Sequence, residues 1–527
     1  MPTSHDFPIR GLAGDLPMTA QLQSGIHSGQ GRQPYAQGWS SFDHQKAQSE
    51  VSKLQRRIYG LTQRKEFHKV TRTQKLLVKS ASARYLAVRR VTSNKGKFTA
   101  GVDGVVIVSA EDKWALMEDL KDFKSYKPKP SRTVFIPKKD GTRRKLGIPT
   151  IKDRAMQALL LIALEPEWEA KFEPHNFGFR PGRSAIDAVQ YIGRAFVPTK
   201  GRRPHPGWVL DADMSACFDN ISHDVLLNKL EGFPFRQIIR NWLKAGSVSH
   251  IGFRISEKGT PQGGVISPLL ANIALNGMER LFGIYSRNGN YLNPQNRSKQ
   301  NKGISLYRYA DDFVVLAPSK AVLEEYVLPN VRKFLADVGI SFNDAKTRIV
   351  NISEGFNFLG FHFRRFTRRD GSIKEFIYSP VRKRVDRFLR ELHIWIQQRQ
   401  SLSIKEIIKG LNRRIRGFCN YFKWSNAHKS FAYMTHRIYK LMWNWVRHRH
   451  QRKRGARWLK YRYWRPVRGG KYNWIFHFNG VALAQPYTLT VKWWRRPAVR
   501  IHTSPYDPSS LNYWKTRTKR HKWALNI

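Results

Sequence analysis

Two short apolar runs, Ile304-Ser-Leu-Tyr307 and Phe313-Val-Val-Leu316, flank the four residues Tyr309-Ala310-Asp311-Asp312 near the middle of the chain. Short runs of this kind predict the two strands of a β-hairpin, with the acidic pair at its tip. A hairpin tip presents short acidic groups without burying them, and divalent cations prefer oxygen ligands. An Asp-Asp pair in a turn is most often only solvated, so a metal site requires support from other residues.

A third acidic residue ends another predicted strand. The segment Trp208-Val-Leu-Asp-Ala-Asp213 is apolar until it closes in acid. Two-metal phosphoryl transfer needs carboxylates from separate strands that converge on ions about 3.5–4 Å apart. If the two strands lie side by side, Asp213, Asp311 and Asp312 supply three such ligands. The sequence contains no Walker loop and no dinucleotide fingerprint that would indicate another way of holding a nucleotide.

The charge of the chain indicates a polyanionic partner. Among 527 residues, 94 Lys and Arg outnumber 38 Asp and Glu, which leaves a net charge of +56. A compact fold tolerates this excess poorly unless a polyanion neutralises it, so we expect nucleic acid rather than a generally basic protein. Residues 413–527 hold ten of the sixteen Trp and a single carboxylate, Asp507. These Trp side chains can stack on unpaired bases or pack in a small core.

Two cysteines, Cys217 and Cys419, are too few for a disulfide framework or a Cys-rich zinc site. No apolar run approaches the length that spans a membrane, and the first thirty residues resemble neither a signal peptide nor a transit peptide. We therefore expect a soluble protein of the prokaryotic cytoplasm.

The pattern along the chain predicts an α+β fold. Residues 1–50 read as a weakly ordered tail rich in Gly, Ser, Gln and Pro, and basic amphipathic helices begin at Val51. A hairpin is predicted between Arg132 and Ile148, and helices alternate with short hairpins, which disfavours a doubly wound sheet. Three amphipathic helices follow Pro380, the second opened by a Ser403 and Glu406 capping box. The third has an apolar stripe of Phe431, Met434, Ile438, Leu441 and Trp445.

Several motifs together resemble the reverse transcriptases encoded by group II introns. The Tyr309-Ala-Asp-Asp312 turn occurs with Asp213-Met-Ser-Ala-Cys-Phe-Asp219 and with Thr260-Pro-Gln-Gly-Gly-Val-Ile-Ser-Pro-Leu-Leu270. The resemblance extends from about residue 51 to about residue 513 and includes Gly178-Phe-Arg-Pro-Gly-Arg183, Asn357-Phe-Leu-Gly-Phe361 and Arg416-Gly-Phe-Cys-Asn-Tyr-Phe422. It implies a right-hand polymerase with fingers and palm at 51–378, a helical thumb or maturase domain at 379–450, and a basic DNA-binding region at 451–527.

The resemblance also implies a role for each acidic position. Asp213, Asp311 and Asp312 would hold two Mg²⁺ ions, and Ala212 or Met214 would lend a backbone carbonyl to the coordination. Phe218 would pack under the sugar of the incoming nucleotide and exclude a 2′-hydroxyl, so the product would be DNA. A core phenylalanine is the alternative for that ring.

Four further residues are implied in nucleotide binding. Lys138 and Arg144 match the basic pair that grips the triphosphate, whereas Arg143 and Lys145 are expected to face solvent. Gln262 would lie against nucleotide and template. Lys346 resembles a residue that aids proton delivery to pyrophosphate, although a solvated lysine explains it equally well.

Basic residues on the predicted helices would contact nucleic acid mainly through phosphates. The expected RNA contacts are Arg56, Arg57, Arg64, Lys65, Arg413, Arg414 and Arg416. The expected DNA contacts are Arg462, Arg465, Arg495 and Arg496, in a region that also contains Ser504-Pro-Tyr-Asp507 and Asn512-Tyr-Trp514.

The function implied is that of an RNA-directed DNA polymerase and maturase. It would bind its intron RNA as a ribonucleoprotein, as a monomer or a dimer, and copy that RNA into DNA from dNTPs at a DNA target during retrohoming. The sequence has no paired-cysteine endonuclease motif, so a replication fork or an existing nick would supply the primer. Two alternatives are a maturase whose polymerase is vestigial and a free-standing reverse transcriptase used in defence.

Overall fold

The computed structural model describes residues 38–137, 141, 143–196, 206–249, 252–260, 262–284, 301, 303–466, 474–489 and 498–517. Within these ranges helices alternate with strands that pair antiparallel, except for one short parallel pairing, which confirms the α+β prediction. Lys138, Arg495, Arg496 and most of the predicted N-terminal tail lie outside the described residues. No helix in the described part of the chain is long and apolar enough to cross a membrane.

The first predicted helix forms, but it begins earlier than expected. The N-terminal helices are α1 (His44–Gln63), α2 (Phe67–Lys79), α3 (Ala81–Thr92) and α4 (Ala110–Asp119). The Asp43 carboxylate caps α1 by accepting hydrogen bonds from the backbone N–H groups of Gln45 and Lys46 at 2.7 and 3.2 Å. Residues 44–50 therefore belong to a helix rather than to a tail. Only Ala47 among these seven residues is buried, so the start of α1 carries no apolar stripe from which a helix could be predicted.

The central part of the chain builds two four-stranded sheets. Its elements are β1 (Ser131–Pro137), β2 (Arg143–Ile148), α5 (Ile151–Lys171), α6 (Ala185–Phe196), β3 (Trp208–Ala212), β4 (Met214–Ser215), α7 (Cys217–Asn220), α8 (His223–Lys229), α9 (Arg236–Lys244), β5 (Ser247–Ser249), β6 (Gly252–Arg254), α10 (Ser267–Ala274), β7 (Ser305–Tyr309), β8 (Asp312–Ala317), α11 (Leu328–Val338), β9 (Ser341–Phe342) and β10 (Arg348–Asn351). One sheet has the order β2-β1-β5-β6, and the other has the order β10-β3-β8-β7. The predicted hairpins β1–β2 and β7–β8 are both present.

The three helices predicted after Pro380 are also present. The C-terminal elements are β11 (Phe356–Phe358), β12 (Phe361–Thr367), β13 (Ile373–Pro380), α12 (Arg382–Gln397), α13 (Ile404–Phe422), α14 (His428–Arg449), α15 (Ala456–Tyr463), β14 (Trp464–Pro466), β15 (Trp474–Phe478) and β16 (Val481–Ala482). The capping box of Ser403 and Glu406 forms reciprocally at the start of α13. On α14 the buried stripe continues through Met442 and Val446, not through Leu441 and Trp445. Successive i+4 steps from Ile438 reach Met442 and Val446.

The second sheet is buried on both faces and separates two hydrophobic cores. Phe313 and Val315 of β8 belong to the core beneath the N-terminal helices, whereas Val314 and Leu316 belong to the core shared with the C-terminal helices. Alternate residues of a strand point to opposite faces, so a strand between two cores must be apolar throughout. This packing holds β8 rigidly and fixes where Asp312, its first residue, lies.

Candidate active site

The acidic turn forms a two-residue hairpin loop. Tyr309 pairs with Asp312, which leaves Ala310 and Asp311 at the tip. Ala310 has a φ of 60°, in the left-handed region that a tight hairpin turn requires of a residue at this place. The predicted hairpin is therefore confirmed, with Asp311 in its loop and Asp312 one step further on, as the first residue of β8.

The strand that ends at Asp213 lies beside this hairpin. Strand β3 runs antiparallel to β8 with Ala212 opposite Phe313, so the next step places Asp213 beside Asp312. The prediction that the two strands are neighbours is confirmed. The backbone carbonyl of Asp213 accepts a hydrogen bond from the N–H of Asn343 at 2.9 Å, and its side chain lies 3.4 Å from Lys346 Nζ.

Negative charge accumulates at this edge of the sheet. Burial, together with the charges of Asp311, Asp213 and Asp211, raises the pKa of Asp312 to about 8. Asp211 lies two residues before Asp213 and is paired with Arg348, whose Nη2 is 3.0 Å away. The pairing of Asp211 with Arg348 was not predicted from the sequence. The spacing of Asp211 and Asp213, which puts both on one face of the strand, was the available signal.

The carboxylate oxygens at this edge suit a divalent cation, but the side chains do not converge on one point. Within the described residues, no three Asp, Glu, His or Cys side chains are grouped so that they could hold a metal ion. Asp213 is engaged with Lys346 instead. A cation would relieve the repulsion among the acidic groups that raises the pKa of Asp312. These residues therefore fit a divalent ion in their chemistry, provided that the Asp213 side chain turns from Lys346.

A cleft of about 340 Å³ opens beside these carboxylates. Asp213, Asp312, Lys346 and Arg348 line one part of it, and the Asn357-Phe358-Leu359 segment lines another. Lys346 is half exposed in this cleft, with a side-chain exposure of 40%. Lys346 is thus partly solvated and at the same time paired with Asp213.

Phe218 lies on the short helix α7, five residues after Asp213. Its ring is 9% exposed and packs edge-on against Phe179, with ring centroids 6.4 Å apart. Its backbone carbonyl accepts a hydrogen bond from the N–H of Thr260 at 2.7 Å. Phe218 is thus part of the core as well as a neighbour of the Thr260–Leu270 motif.

Arg144 and Gln262 are in direct contact. The Arg144 Nε donates to the Gln262 Oε1 at 3.0 Å, and the Gly147 N–H donates to the Gln262 backbone carbonyl at 2.7 Å. Arg144 is half-buried, whereas Arg143 and Lys145 on either side of it are exposed, as expected. The structure therefore brings two of the four predicted nucleotide-binding residues together.

Comparison with known proteins identifies the family. The reverse transcriptase (RNA-dependent DNA polymerase) model matches residues 136–363, and the model of the N-terminal domain of reverse transcriptase matches residues 39–120. The group II intron maturase-specific domain matches residues 385–464. Protein YkfC of Escherichia coli is 33% identical over 342 residues, which are 59% of this chain and 88% of that protein.

The chain belongs to the group II intron-encoded reverse transcriptases. The group II intron-encoded protein LtrA of Lactococcus lactis is 28% identical over 431 residues, which cover 67% of this chain and 70% of that protein. A solved telomerase of Candida albicans overlaps with a TM-score of 0.36 at 13% identity, over 62% of this chain and 59% of that one. This reverse transcriptase is an RNA-directed DNA polymerase and a group II intron maturase, and RNA is its partner.

A buried arginine supports the hairpin tip of this reverse transcriptase. Arg308 is 1% exposed, and its Nη1 donates to the Ala310 carbonyl and to the Asn272 Oδ1, each at 3.1 Å. Asn272 Nδ2 in turn donates to the Gly178 carbonyl at 2.7 Å. Burial lowers the pKa of Arg308 to about 10. Neither Arg308 in β7 nor Asn272 in α10 was predicted as a site residue, because a buried polar residue gives no signal in the sequence of its distant partners.

The C-terminal segment 498–517 of the reverse transcriptase packs against helices α5 and α6 and the loop between them. Ser504 is 1% exposed and Trp514 is 6% exposed, and the Trp514 ring lies against Gly182. The Tyr506 hydroxyl donates to a Glu165 carboxylate oxygen at 2.5 Å, and Arg517 lies 2.5 Å from Asp187. These side chains of the expected DNA-binding region are therefore engaged within the protein, which the sequence analysis did not foresee.

The pair of Arg517 and Asp187 gives a stability prediction. Asp187 is fully buried and accepts hydrogen bonds from the Ser184 N–H and hydroxyl at the start of α6, so removal of Arg517 takes a cation away from a buried carboxylate. We expect Arg517→Ala to lower the midpoint temperature of thermal unfolding by about 3 °C or more. The exposed Lys515→Ala in the same helical turn is the control and should leave it unchanged. Equal midpoints for both variants would contradict the assigned role of Arg517.

The predicted nucleic-acid contacts of the reverse transcriptase differ in availability. Arg57, Arg413, Arg416, Arg462 and Arg465 are exposed, and Arg56 is half-buried. Arg64 pairs with Glu66 at 2.6 Å, and Lys65 lies at a helix end with a φ of 61°. Arg414 stacks on Trp395 at 4.2 Å from the ring centroid. The Arg414 Nη1 also donates to the Gly410 carbonyl at 3.1 Å, so this guanidinium is held on its own helix.

Proposed function

We propose that this reverse transcriptase transfers nucleotides by a two-metal mechanism in which Asp213, Asp311 and Asp312 hold two Mg²⁺ ions, aided by the carbonyl of Ala212 or Met214. The bound ions would activate the primer 3′-hydroxyl and stabilise the pyrophosphate that leaves. The observation that carries this proposal is the antiparallel register that places Asp213 beside Asp312 at an edge crowded with negative charge.

The other site residues would bind and orient the nucleotide. Arg144 and Lys138 would donate charge-assisted hydrogen bonds to the triphosphate, and Gln262 would lie against the base pair that is being formed. The Phe218 ring would exclude a 2′-hydroxyl by its volume. Lys346 is 3.4 Å from Asp213, a place from which its ammonium could donate a proton to pyrophosphate.

The rest of the chain would hold nucleic acid. Residues 51–378 would form fingers and palm, 379–450 the thumb or maturase domain, and 451–527 a DNA-binding region. Arg56, Arg57, Arg64, Lys65, Arg413, Arg414 and Arg416 would contact intron RNA, and Arg462, Arg465, Arg495 and Arg496 would contact target DNA. The protein would act as a monomer or a dimer on its RNA in the prokaryotic cytoplasm, with dNTPs as substrates.

We infer that copying is primed by the DNA target during retrohoming. A ribonucleoprotein of this protein and its intron RNA, mixed with a target duplex nicked at the insertion site, should yield cDNA joined covalently to the target 3′ end. The target strand is labelled at its 5′ end, and a denaturing gel then shows the joined product as a longer labelled strand. The same duplex with a blocked 3′ end is the control and should yield none. Full-length cDNA that is never joined to the target would contradict target priming.

A further inference from the structure

A short hydrogen-bonded chain links the palm to the fingers hairpin. Arg144 Nε donates to Gln262 Oε1 at 3.0 Å, and Gln262 Nε2 donates to Asp219 Oδ2 at 3.0 Å. Asp219 directly follows Phe218 and is exposed. We propose that Asp219 is a positioning residue for nucleotide binding, which orients the Gln262 amide and thereby holds the Arg144 guanidinium in place.

The chemistry of the three groups allows only one orientation of the amide. A guanidinium can only donate hydrogen bonds, a carboxylate can only accept them, and an amide has one end of each kind. If the Gln262 amide turned over, its NH₂ group would face the donors of Arg144 and its oxygen would face the carboxylate. The last torsion of a glutamine is soft, so the side chain itself does not prevent this reversal. The negative charge of Asp219 prevents it, because the carboxylate attracts the NH₂ group of Gln262 and repels its amide oxygen.

The backbones that carry these groups are held close together. The Asp219 N–H donates to the Ala216 carbonyl at 2.9 Å, and a Cβ on Gly259 would lie 2.5 Å from the Asp219 carbonyl oxygen. The Gln262 carbonyl accepts from the Gly147 N–H at 2.7 Å, which ties the turn to the hairpin of Arg144. With these backbones close together, the amide orientation decides whether Arg144 is held where a triphosphate would arrive.

The inference rests on the proposed nucleotide-binding role of Arg144 and Gln262. A fixed guanidinium binds phosphate with less loss of side-chain freedom, so its effect belongs mainly to nucleotide affinity. Loss of the Asp219 acceptor should therefore raise the KM for dNTP more than it lowers kcat. Asp219 and Gln262 act through one contact. A change at Asp219 should therefore no longer raise the KM for dNTP when the side chain at position 262 cannot accept or donate a hydrogen bond.

The test is steady-state primer extension by the full-length protein on an RNA template with varied dNTP. We expect Asp219→Leu to raise the KM for dNTP about fivefold with kcat within about twofold. Asp219→Asn keeps the size of the side chain but can face either end of the Gln262 amide, so it should raise the KM about twofold to fivefold. In the Gln262→Met background, Asp219→Leu should add less than about twofold. Asp337→Leu, a similar change at an exposed site on α11, is the control and should change nothing.

The outcomes separate this inference from the proposal on which it rests. Equal rises in KM in both backgrounds would show that Asp219 acts independently of Gln262 and would overturn the inference. An unchanged KM for Asp219→Leu alone would overturn it as well. If Gln262→Met and Arg144→Ala both leave the KM unchanged, the proposed nucleotide-binding role fails first. Circular dichroism melts of each variant show whether any loss comes from unfolding, in which case the Asp219→Asn comparison decides.

Discussion

Replacement of Asp312 by asparagine is expected to abolish DNA synthesis on an RNA template, with a loss of about 10³-fold or more. Asparagine keeps the size of the side chain but removes the charge that would hold a cation. Asp312 opens strand β8 and lies beside Asp213, so its loss removes the carboxylate that faces the second acidic strand end. Primer extension with purified protein and a saturating concentration of Mg²⁺ measures the loss.

The same variant should retain the fold and the maturase activity. Asp312 is repelled by Asp311, Asp213 and Asp211 when no cation is present, so its neutralisation should leave the melting temperature in metal-free buffer equal or higher. Splicing of the intron RNA should stay near that of the parent, because the exposed Arg413 and Arg416 lie on α13 and not in the cleft.

Two comparisons make the Asp312 prediction specific. Asp344→Asn removes a carboxylate from an exposed surface pair with Arg332 and should leave synthesis unchanged. Changing Arg413 and Arg416 together to alanine should weaken splicing and spare primer extension on a simple template. Equal loss of splicing and synthesis in Asp312→Asn would contradict the separation of the two activities. Undiminished synthesis would instead support a site built without Asp312.

Addition of a single methyl group at Gly178 is expected to reduce DNA synthesis by about 10²-fold. A Cβ on Gly178 would lie 2.2 Å from the backbone nitrogen of Ala310 and 2.8 Å from the carbonyl carbon of Tyr309. Both atoms are backbone of the hairpin tip, which cannot rotate away as a side chain could. Gly178→Ala must therefore push the tip, with Asp311 and Asp312, by a substantial fraction of an ångström.

The control for Gly178 is another glycine with open space around it. Gly417 lies inside α13, and a Cβ there would meet no other atom within 4 Å. Gly417→Ala should stabilise the helix by about 0.5–1 kcal/mol and leave primer extension unchanged. If Gly178→Ala also retains full synthesis, the contact between this glycine and the hairpin does not control the position of the carboxylates.

Local patterns predicted the elements on which the site is built. The hairpin tip at Asp311 and Asp312 followed from two apolar runs and the residues between them, and the start of α13 followed from Ser403 and Glu406. Each of these depends on residues within a few positions along the chain. Side-chain periodicity and helix capping act over that range, so both can be recognised from the sequence alone.

Contacts between distant residues were not predictable in the same way. The pair of Asp211 and Arg348 joins positions 137 residues apart, and Arg308 reaches Asn272 across 36 residues. The pairing of Lys346 with Asp213 is of the same kind. A polar side chain in a strand signals only that it needs a partner, and the partner is set by how the sheet and its neighbouring loops pack.

By itself, the sequence determined the chemistry of this reverse transcriptase. Its acidic turn, its second acidic strand end and its net charge of +56 already indicated carboxylates acting on a nucleic-acid partner. The tertiary structure decided which groups face each other: Asp312 beside Asp213, Gln262 between Arg144 and Asp219, and the segment 498–517 against helices α5 and α6. The physical reason is that residue type and local spacing set what a side chain can do, whereas the packing of buried surfaces sets what it meets.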